Sequence, residues 1–366
     1  MINAATTNHT ESTLMVMAGG TGGHVYPAMA VADYLQTLGW RIVWLATEGG
    51  MENRLIVDKP YSKAIITMRG VRGKGLLGWV LLPIKLMTAF KQSLSAITKY
   101  QPNVVLGMGG FAAFPGGLMA KLLRKPLVIH EQNSVAGLTN KTLSHVANKV
   151  LAAFPAAFGE KAALVGNPVR EAITQLPIPE VRYGKRKGKL NILVVGGSLG
   201  AAALNDVMPK ALAAFPADQR PEVVHQAGGK HIALLEKNYI KAGVTAETKA
   251  YIQDMASQYA WADVVVCRAG ALTVAELACV GVASVLIPFP YAVDDHQTSN
   301  ATYLSNNGAA ILVQQTAFTV EKATTVLQHL TRETCLEMAN NARALGKPEA
   351  TKTVANVCIE LAGVTA

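Results

Sequence analysis

DVVVCRAGALTVAELACVG, residues 263–281, starts as a short uncharged strand, turns at Arg268-Ala-Gly270 and continues as an otherwise apolar helix with Glu276 in its second turn. A strand apolar at every position is covered on both faces, as in a parallel sheet between layers of helices. The same strand–turn–helix grammar extends in both directions. Ser284–Ile287 follows this stretch, and Ile192–Val195, Val223–His225 and Thr248–Tyr251 precede it with helical stretches between them. Farther upstream, Pro177–Lys189 (PIPEVRYGKRKGK) breaks the pattern with two prolines, two glycines and a basic cluster, and reads as a linker or a loop outside any core.

Before that break the grammar runs through six more β-rich stretches: Leu14–Met17, Ile42–Leu45, Ala64–Thr67, Val104–Leu106, Leu127–Ile129 and Val150–Ala152. Helix-period segments such as Val25–Leu38 and Leu138–Ala147 separate them. The expected fold class is therefore α/β, with two doubly wound domains facing across a cleft at the C-terminal ends of their strands, where open α/β sheets bind ligands. The expected division is a disordered extension (1–13), an N-terminal domain (14–170), a C-terminal domain (171–348) and a terminal helix (349–366) able to pack back on the N-terminal domain.

A chain of 366 residues, half hydrophobic and 16% charged with 32 glycines, has the profile of compact α/β domains and exceeds one ordinary core. The net charge of +10 is unevenly placed. Residues 1–170 hold 17 Lys/Arg against 7 Asp/Glu, while 171–366 hold 17 of each. The first half is thus suited to an anionic partner: lipid headgroups, a lipid diphosphate or nucleic acid. Aromatic residues at 6%, not interleaved with the basic ones, count against nucleic acid. Cys267, Cys279, Cys335 and Cys358 show no CxxC pairing and read as reduced, buried thiols, so no metal site is expected. Tyr100–Ala120 is uncharged and long, but five glycines and two prolines make it a strand, a glycine turn and a helix rather than a membrane span.

Three glycine-rich turns follow strands: GGTGGH (19–24), GMGGFAAFPGG (107–117) and GGSLGA (196–201). Glycine lets backbone N–H groups approach an anion, and the next helix adds unsatisfied donors and a positive dipole end. Gly270 offers the same to a diphosphate, and Glu276 can accept from both hydroxyls of a ribose. PFPYAVDDHQTSNA (288–301) supplies amides and carboxylates suited to sugar hydroxyls. A competing reading takes Gly107 to Ala112 as a GxGxxA dinucleotide fingerprint with Glu131 as its ribose-binding acid, although it falls at about the fourth strand instead of the first.

GGTGGH, HEQN (130–133), GLTNK (137–141), VGNPVR (165–170), GGSLGA, CRAGALTVAE (267–276) and DDHQTSNA (294–301), in this order from Leu14 to the last helix, resemble the MurG family, the N-acetylglucosaminyltransferases of peptidoglycan synthesis. The resemblance implies a glycosyltransferase-B fold of two Rossmann-like domains. It implies transfer of N-acetylglucosamine from UDP-N-acetylglucosamine to lipid I, undecaprenyl-diphospho-N-acetylmuramoyl pentapeptide, giving lipid II with inversion and without a cofactor or built-in metal. Donor contacts carried over fall on Thr21, Gly22, Gly23, Asn133, Arg170, Ser198, Ile252, Ala271, Leu272, Thr273, Val274, Ala275, Glu276 and Gln297. Ile252 would hold the uracil through its backbone, Ser198 a phosphate, Glu276 the ribose and Gln297 the sugar hydroxyls. The first glycine loop, with Gly107, Gly109 and Gly110, would cradle the acceptor's diphosphate. In one departure, the loop reads PYAVDDHQ where some relatives have a shorter one with paired glutamines, which leaves the role of His296 open.

Inversion requires a base, and His24 closes the first glycine loop at a helix N-terminus. Arg268 is a candidate helper for the leaving diphosphate. Arg69, Arg72 and Lys74 border an apolar run that includes Leu76, Leu77, Trp79 and Val80, a combination suited to an anionic bilayer surface. The implied address is the cytoplasmic face of the inner membrane, as a peripheral protein, with other cell-wall enzymes as candidate partners. The alternatives are a sugar-nucleotide epimerase and a non-enzymatic nucleotide-sugar-binding protein on the same fold.

Overall fold

A computed structural model describes residues 12–68, 82–197 and 200–363. The chain forms two compact units, one of residues 1–132, 136–168 and 349–366, the other of 133–135 and 169–348.

The first unit is built on seven strands: β1 (Thr13–Ala18), β2 (Arg41–Thr47), β3 (Ser62–Ile66), β4 (Val104–Gly109), β5 (Leu127–Glu131), β6 (Lys149–Ala152) and β7 (Ala163–Leu164). They pair in parallel in the order β3-β2-β1-β4-β5-β6-β7. The period of two places the side chains of β1 on opposite faces. Leu14, Val16 and Ala18 join one apolar cluster, and Met15 and Met17 join the other. On the first face, the helix Gly22–Thr37 buries Val25, Ala28, Val31, Ala32 and Leu35 at helical spacing. The final helix, Ala350–Ala362, adds Val354, Ala355, Cys358 and Ile359 to that same cluster. The helices Leu82–Tyr100 and Ala113–Leu122 cover the opposite face, where a side chain on Gly116 would collide with Met17 and Leu45.

The second unit has six strands: β8 (Asn191–Val195), β9 (Glu222–Gln226), β10 (Glu247–Lys249), β11 (Val264–Cys267), β12 (Ala283–Leu286) and β13 (Ala310–Leu312). They are parallel in the order β10-β9-β8-β11-β12-β13. Both sheets reverse direction beside their first strand, between β1 and β4 and between β8 and β11. Such a reversal opens a crevice at the strand C-termini.

Several expectations need amendment. Residues 177–189 are not outside the core: Pro179–Tyr183 is a short helix, and Tyr183 lies in the core of the second unit with its hydroxyl 2.6 Å from the Asp263 carbonyl oxygen. Two of the basic residues there face inward, while Lys185, Lys187 and Lys189 are exposed. Arg182 donates to the carbonyl oxygens of Val280 and Gly281, the negative end of a helix, and Arg186 pairs with buried Asp263 at 2.5 Å. Thr13 already belongs to β1, and residues 1–11 lie outside the described part. No helix among the described residues is long and apolar enough to cross a membrane.

Candidate active site

Some of the predicted residues lie in the turns beside the two switch points, and Asn133, Ile252 and Gln297 follow other strands, β5, β10 and β12. In the first unit the turns after β1 and β4 interlock. Gly109 and Gly110 are left-handed, at φ 103° and 89°. A side chain on Gly110 would lie 2.5 Å from the Gly19 carbonyl oxygen, and one on Gly109 would lie 3.1 Å from the His24 ring. Thr21 is the N-cap of the following helix, with Gly22, Gly23 and His24 in its first turn. His24 Nδ1 is 2.9 Å from the Gly19 carbonyl oxygen. A carbonyl only accepts, so Nδ1 carries the hydrogen and Nε2 of the neutral ring keeps its lone pair.

Glu52 lies fully buried beneath this turn. Its carboxylate accepts from the Thr47 N–H (2.8 Å), the Thr47 hydroxyl (2.7 Å) and the Gly20 N–H (3.4 Å). Gly20's donor is therefore used inside the protein, while the Gly22 and Gly23 N–H groups stand in the first turn of the helix without an acceptor within it. Gly107 is a correction. Gly109 also closes β4, but at a left-handed φ beside the His24 ring, whereas Gly107 lies inside the strand, in register with Met17 and Ile129 and facing their side chains, so it serves the sheet instead of cradling a diphosphate.

The dinucleotide reading also fails on geometry. Glu131 is buried, and its carboxylate accepts from the Gly137 N–H at 3.1 Å and the Asn140 amide at 2.9 Å, fastening the start of the helix Leu138–Leu143. Its neighbour His130 donates from Nε2 to the Gly166 carbonyl oxygen at 2.8 Å. Burial pushes the His130 pKa down to about 4, which keeps the ring neutral in this structural role.

In the second unit, Gly270 is the N-cap of the helix Ala271–Val280 and makes no side-chain cap, so the N–H groups of Ala271, Leu272 and Thr273 have no acceptor within the helix. Val274 differs from them. Its N–H donates to the Gly270 carbonyl oxygen at 2.9 Å and its side chain is fully buried, so within the predicted run it contributes packing alone.

Glu276, nearly two turns along, is buried. Arg170 Nη2 donates to its Oε1 and the Tyr259 hydroxyl to its Oε2, each at 3.0 Å. Burial raises the Glu276 pKa, and the Arg170 charge and the two hydrogen bonds pull it back down. Arg268 is committed elsewhere: its guanidinium donates to the carbonyl oxygens of Ile287 (3.1 Å) and Pro288 (3.2 Å) and to the Gln315 amide (2.5 Å). It thus braces the turn.

Gln297 lies in the first turn of the helix His296–Ser305, not in a loop, and its Oε1 accepts from the Phe289 N–H at 3.0 Å. Two left-handed aspartates, Asp294 and Asp295, lead into that helix. Asn133 is held by Asn300, whose buried amide also bonds Ser134 and the Ala269 carbonyl oxygen, tying this segment to the turn before Gly270. Ile252 is buried just beyond β10.

Of the donor set, Thr21, Gly22 and Gly23 fall in the first unit and the other described members in the second. Ser198 and the patch residues Arg69, Arg72, Lys74, Leu76, Leu77, Trp79 and Val80 lie outside the described residues. Glu52, Tyr259 and Asn300 were not among the predicted site residues. Asn300 stands within the quoted DDHQTSNA motif, but nothing in a single sequence marks Glu52 or Tyr259.

The description "glycosyltransferase family 28 N-terminal domain" matches residues 14–152, and its C-terminal counterpart matches 191–354. Over 354 residues the chain is 56% identical to a Cupriavidus metallidurans protein named UDP-N-acetylglucosamine--N-acetylmuramyl-(pentapeptide) pyrophosphoryl-undecaprenol N-acetylglucosamine transferase, covering 97% of this chain and 99% of the relative. The crystal structure of Acinetobacter baumannii MurG superposes with a TM-score of 0.84 at 41% identity, over 95% of this chain and 99% of that one. The chain belongs to the MurG family. Its two parallel sheets are those of the glycosyltransferase-B fold. A UDP-GlcNAc 2-epimerase from Neisseria meningitidis, at TM-score 0.61 and 12% identity over 95% of this chain and all of that one, shares the fold alone. The epimerase alternative therefore gains no support beyond a common architecture, whereas MurG relatives match nearly end to end.

Proposed function

We propose that this MurG-family chain transfers N-acetylglucosamine from UDP-N-acetylglucosamine to lipid I, giving lipid II and UDP. The observation that carries the reading is the uncapped helix start at Gly270 on the same helix as the buried Glu276 carboxylate. The first is suited to a diphosphate and the second to a ribose. Ile252 would take the uracil, Gln297 the hexose and Ser198 a phosphate, with Thr21, Gly22, Gly23, Asn133 and Arg170 completing the donor contacts.

In the reaction the acceptor hydroxyl oxygen bonds to the anomeric carbon. The bond from that carbon to the diphosphate breaks on the opposite face, its electron pair leaving with UDP, and the hydroxyl proton passes to His24 Nε2. The N–H groups of Ala271, Leu272 and Thr273 receive the charge that develops on the leaving diphosphate. Gly22, Gly23, Gly109 and Gly110 hold the acceptor's own diphosphate.

The first unit would rest on the anionic cytoplasmic face of the membrane. Its surplus of basic residues supports this, as do the exposed Ile84 and Met87 on the helix that follows the Arg69–Val80 stretch. Incubation with labelled donor and lipid I tests the function. Lipid II and UDP in equal amounts are expected. An epimerised nucleotide sugar without a lipid product, or no product at all, would favour the other two readings.

A further inference from the structure

The Glu276 carboxylate has two partners among the described residues, and they are placed one to each oxygen: Arg170 on Oε1 and Tyr259 on Oε2. A carboxylate offers about four acceptor positions, two per oxygen. One position on each oxygen is therefore still available, the arrangement that a vicinal diol can satisfy with one hydroxyl per oxygen.

The two partners are not equivalent. The Arg170 side chain is long and 40% exposed. Tyr259 is among the largest fully buried side chains of the chain, on the helix Met255–Trp261. Asp254 fixes the start of that helix by accepting from the Ser257 N–H at 3.0 Å. The terminal torsion of a glutamate is broad and weakly restrained by itself. A hydroxyl carried on a ring locked in the core restrains it far more tightly than a flexible guanidinium does. The helix bearing Tyr259 also begins three residues after Ile252, so one short stretch of chain reaches from the residue assigned to the base to the prop beneath the carboxylate assigned to the sugar.

We propose that Tyr259 is a positioning residue which, through its hydroxyl, holds the Glu276 carboxylate in the orientation that accepts from both ribose hydroxyls and so makes the site selective for ribonucleotide over deoxyribonucleotide donors. The proposal rests on the reading of Glu276 as the ribose acceptor. Two further groups interact with Glu276, the Cys267 and Cys279 thiols, and burial pushes these up to about 12 and 11. They remain uncharged near neutral pH, so the balance at the carboxylate is left to Arg170 and Tyr259.

The test is calorimetric binding of UDP and 2′-deoxy-UDP to the wild-type chain, to Tyr259→Phe, to Glu276→Gln and to the double variant. Wild type should prefer UDP by about tenfold or more, the scale of one hydrogen bond to a charged group. Tyr259→Phe keeps the ring that fills the core and removes only the hydroxyl. It should weaken UDP by about tenfold and 2′-deoxy-UDP by much less, so that the preference shrinks at least about threefold. In the Glu276→Gln background the same change should add less than about twofold, because the tyrosine acts only through the carboxylate. Retained binding of 2′-deoxy-UDP doubles as the control for folding. Equal weakening of both ligands, no weakening of either, or additive effects in the double variant would overturn the role of Tyr259. A wild-type chain without preference for UDP would defeat the ribose assignment itself, and the Tyr259 proposal with it.

Discussion

The two units share a strand order and differ in what they place at its reversal. In the first, two glycine turns pack closely, Gly110 against the Gly19 backbone and Gly109 against the His24 ring, above the buried Glu52. In the second, the turn after β8 is likewise tight, Gly200 lying against the Ala227 backbone, but Gly270 after β11 is open, and a side chain there would come no nearer than 3.8 Å to Thr273. The second unit places side chains there instead, Glu276 held by Arg170 and Tyr259, and Asn300 tying the turn to Asn133. A doubly wound sheet supplies the paired turns, and what fills the space between them decides whether the site is made of backbone or of side chains.

The largest expected effect separates the units by chemistry. His24→Ala should lower kcat by about a hundredfold or more while UDP affinity stays within about twofold, as loss of a general base predicts. Turnover within about tenfold of wild type, at saturating substrates, would remove His24 from that role. Glu276→Gln should do the converse, raising donor KM by roughly 10- to 100-fold, the worth of a charge-assisted contact to a ribose. An unchanged KM would break the contrast.

The glycines sharpen it. Gly110→Ala meets the Gly19 backbone at a left-handed φ and should cost about 2–3 kcal/mol in denaturant unfolding. Gly270→Ala meets open space and should cost about 1 kcal/mol or less, the difference between two N-cap residues. Equal losses would mean that the loops do not differ as described.

The last expected effect concerns acid. His225 bonds the Tyr239 hydroxyl and the Asn205 amide in the second unit's interior, and burial pushes its pKa down to about 3 from 6.5. His130 in the first unit is held near 4. Each ring is neutral when folded and takes a proton once unfolded, so its contribution is whole above about pH 6.5 and drains away as pH falls toward the folded value. Replacing His225 with Gln should flatten the acid-side fall in unfolding free energy between pH 7 and pH 5 by about 1–2 kcal/mol. A slope identical to wild type would show that the ring is not the group responsible.

Most strands were legible because each is a short apolar run between turn residues, Val264–Cys267 most plainly. The two-residue β7 and three-residue β13 were missed, since runs that short carry no measurable period, and three-residue β10 was placed only by its neighbours in the pattern, as Thr248–Tyr251. The stretch 177–189 misled because its prolines, glycines and lysines are those of a linker, while Tyr183 and Arg182 draw it into the core. Gly107 was read as part of a loop because a glycine at the end of a strand and one just beyond it look alike in sequence.

From the amino-acid order alone came the α/β class, the βαβ grammar repeated on either side of the chain's middle, and the glycine turns with Glu276 and His24 beside them. These are local properties, written in neighbours a few positions apart. Only the tertiary structure decided that Gly20's donor is taken by Glu52, that Glu131 is occupied in fastening a helix, and that Tyr259 stands behind Glu276. Those pairings join residues that are distant in sequence or carried on different elements. A hydrogen bond depends on where the packed helices and strands bring two side chains, and no single-sequence pattern records that.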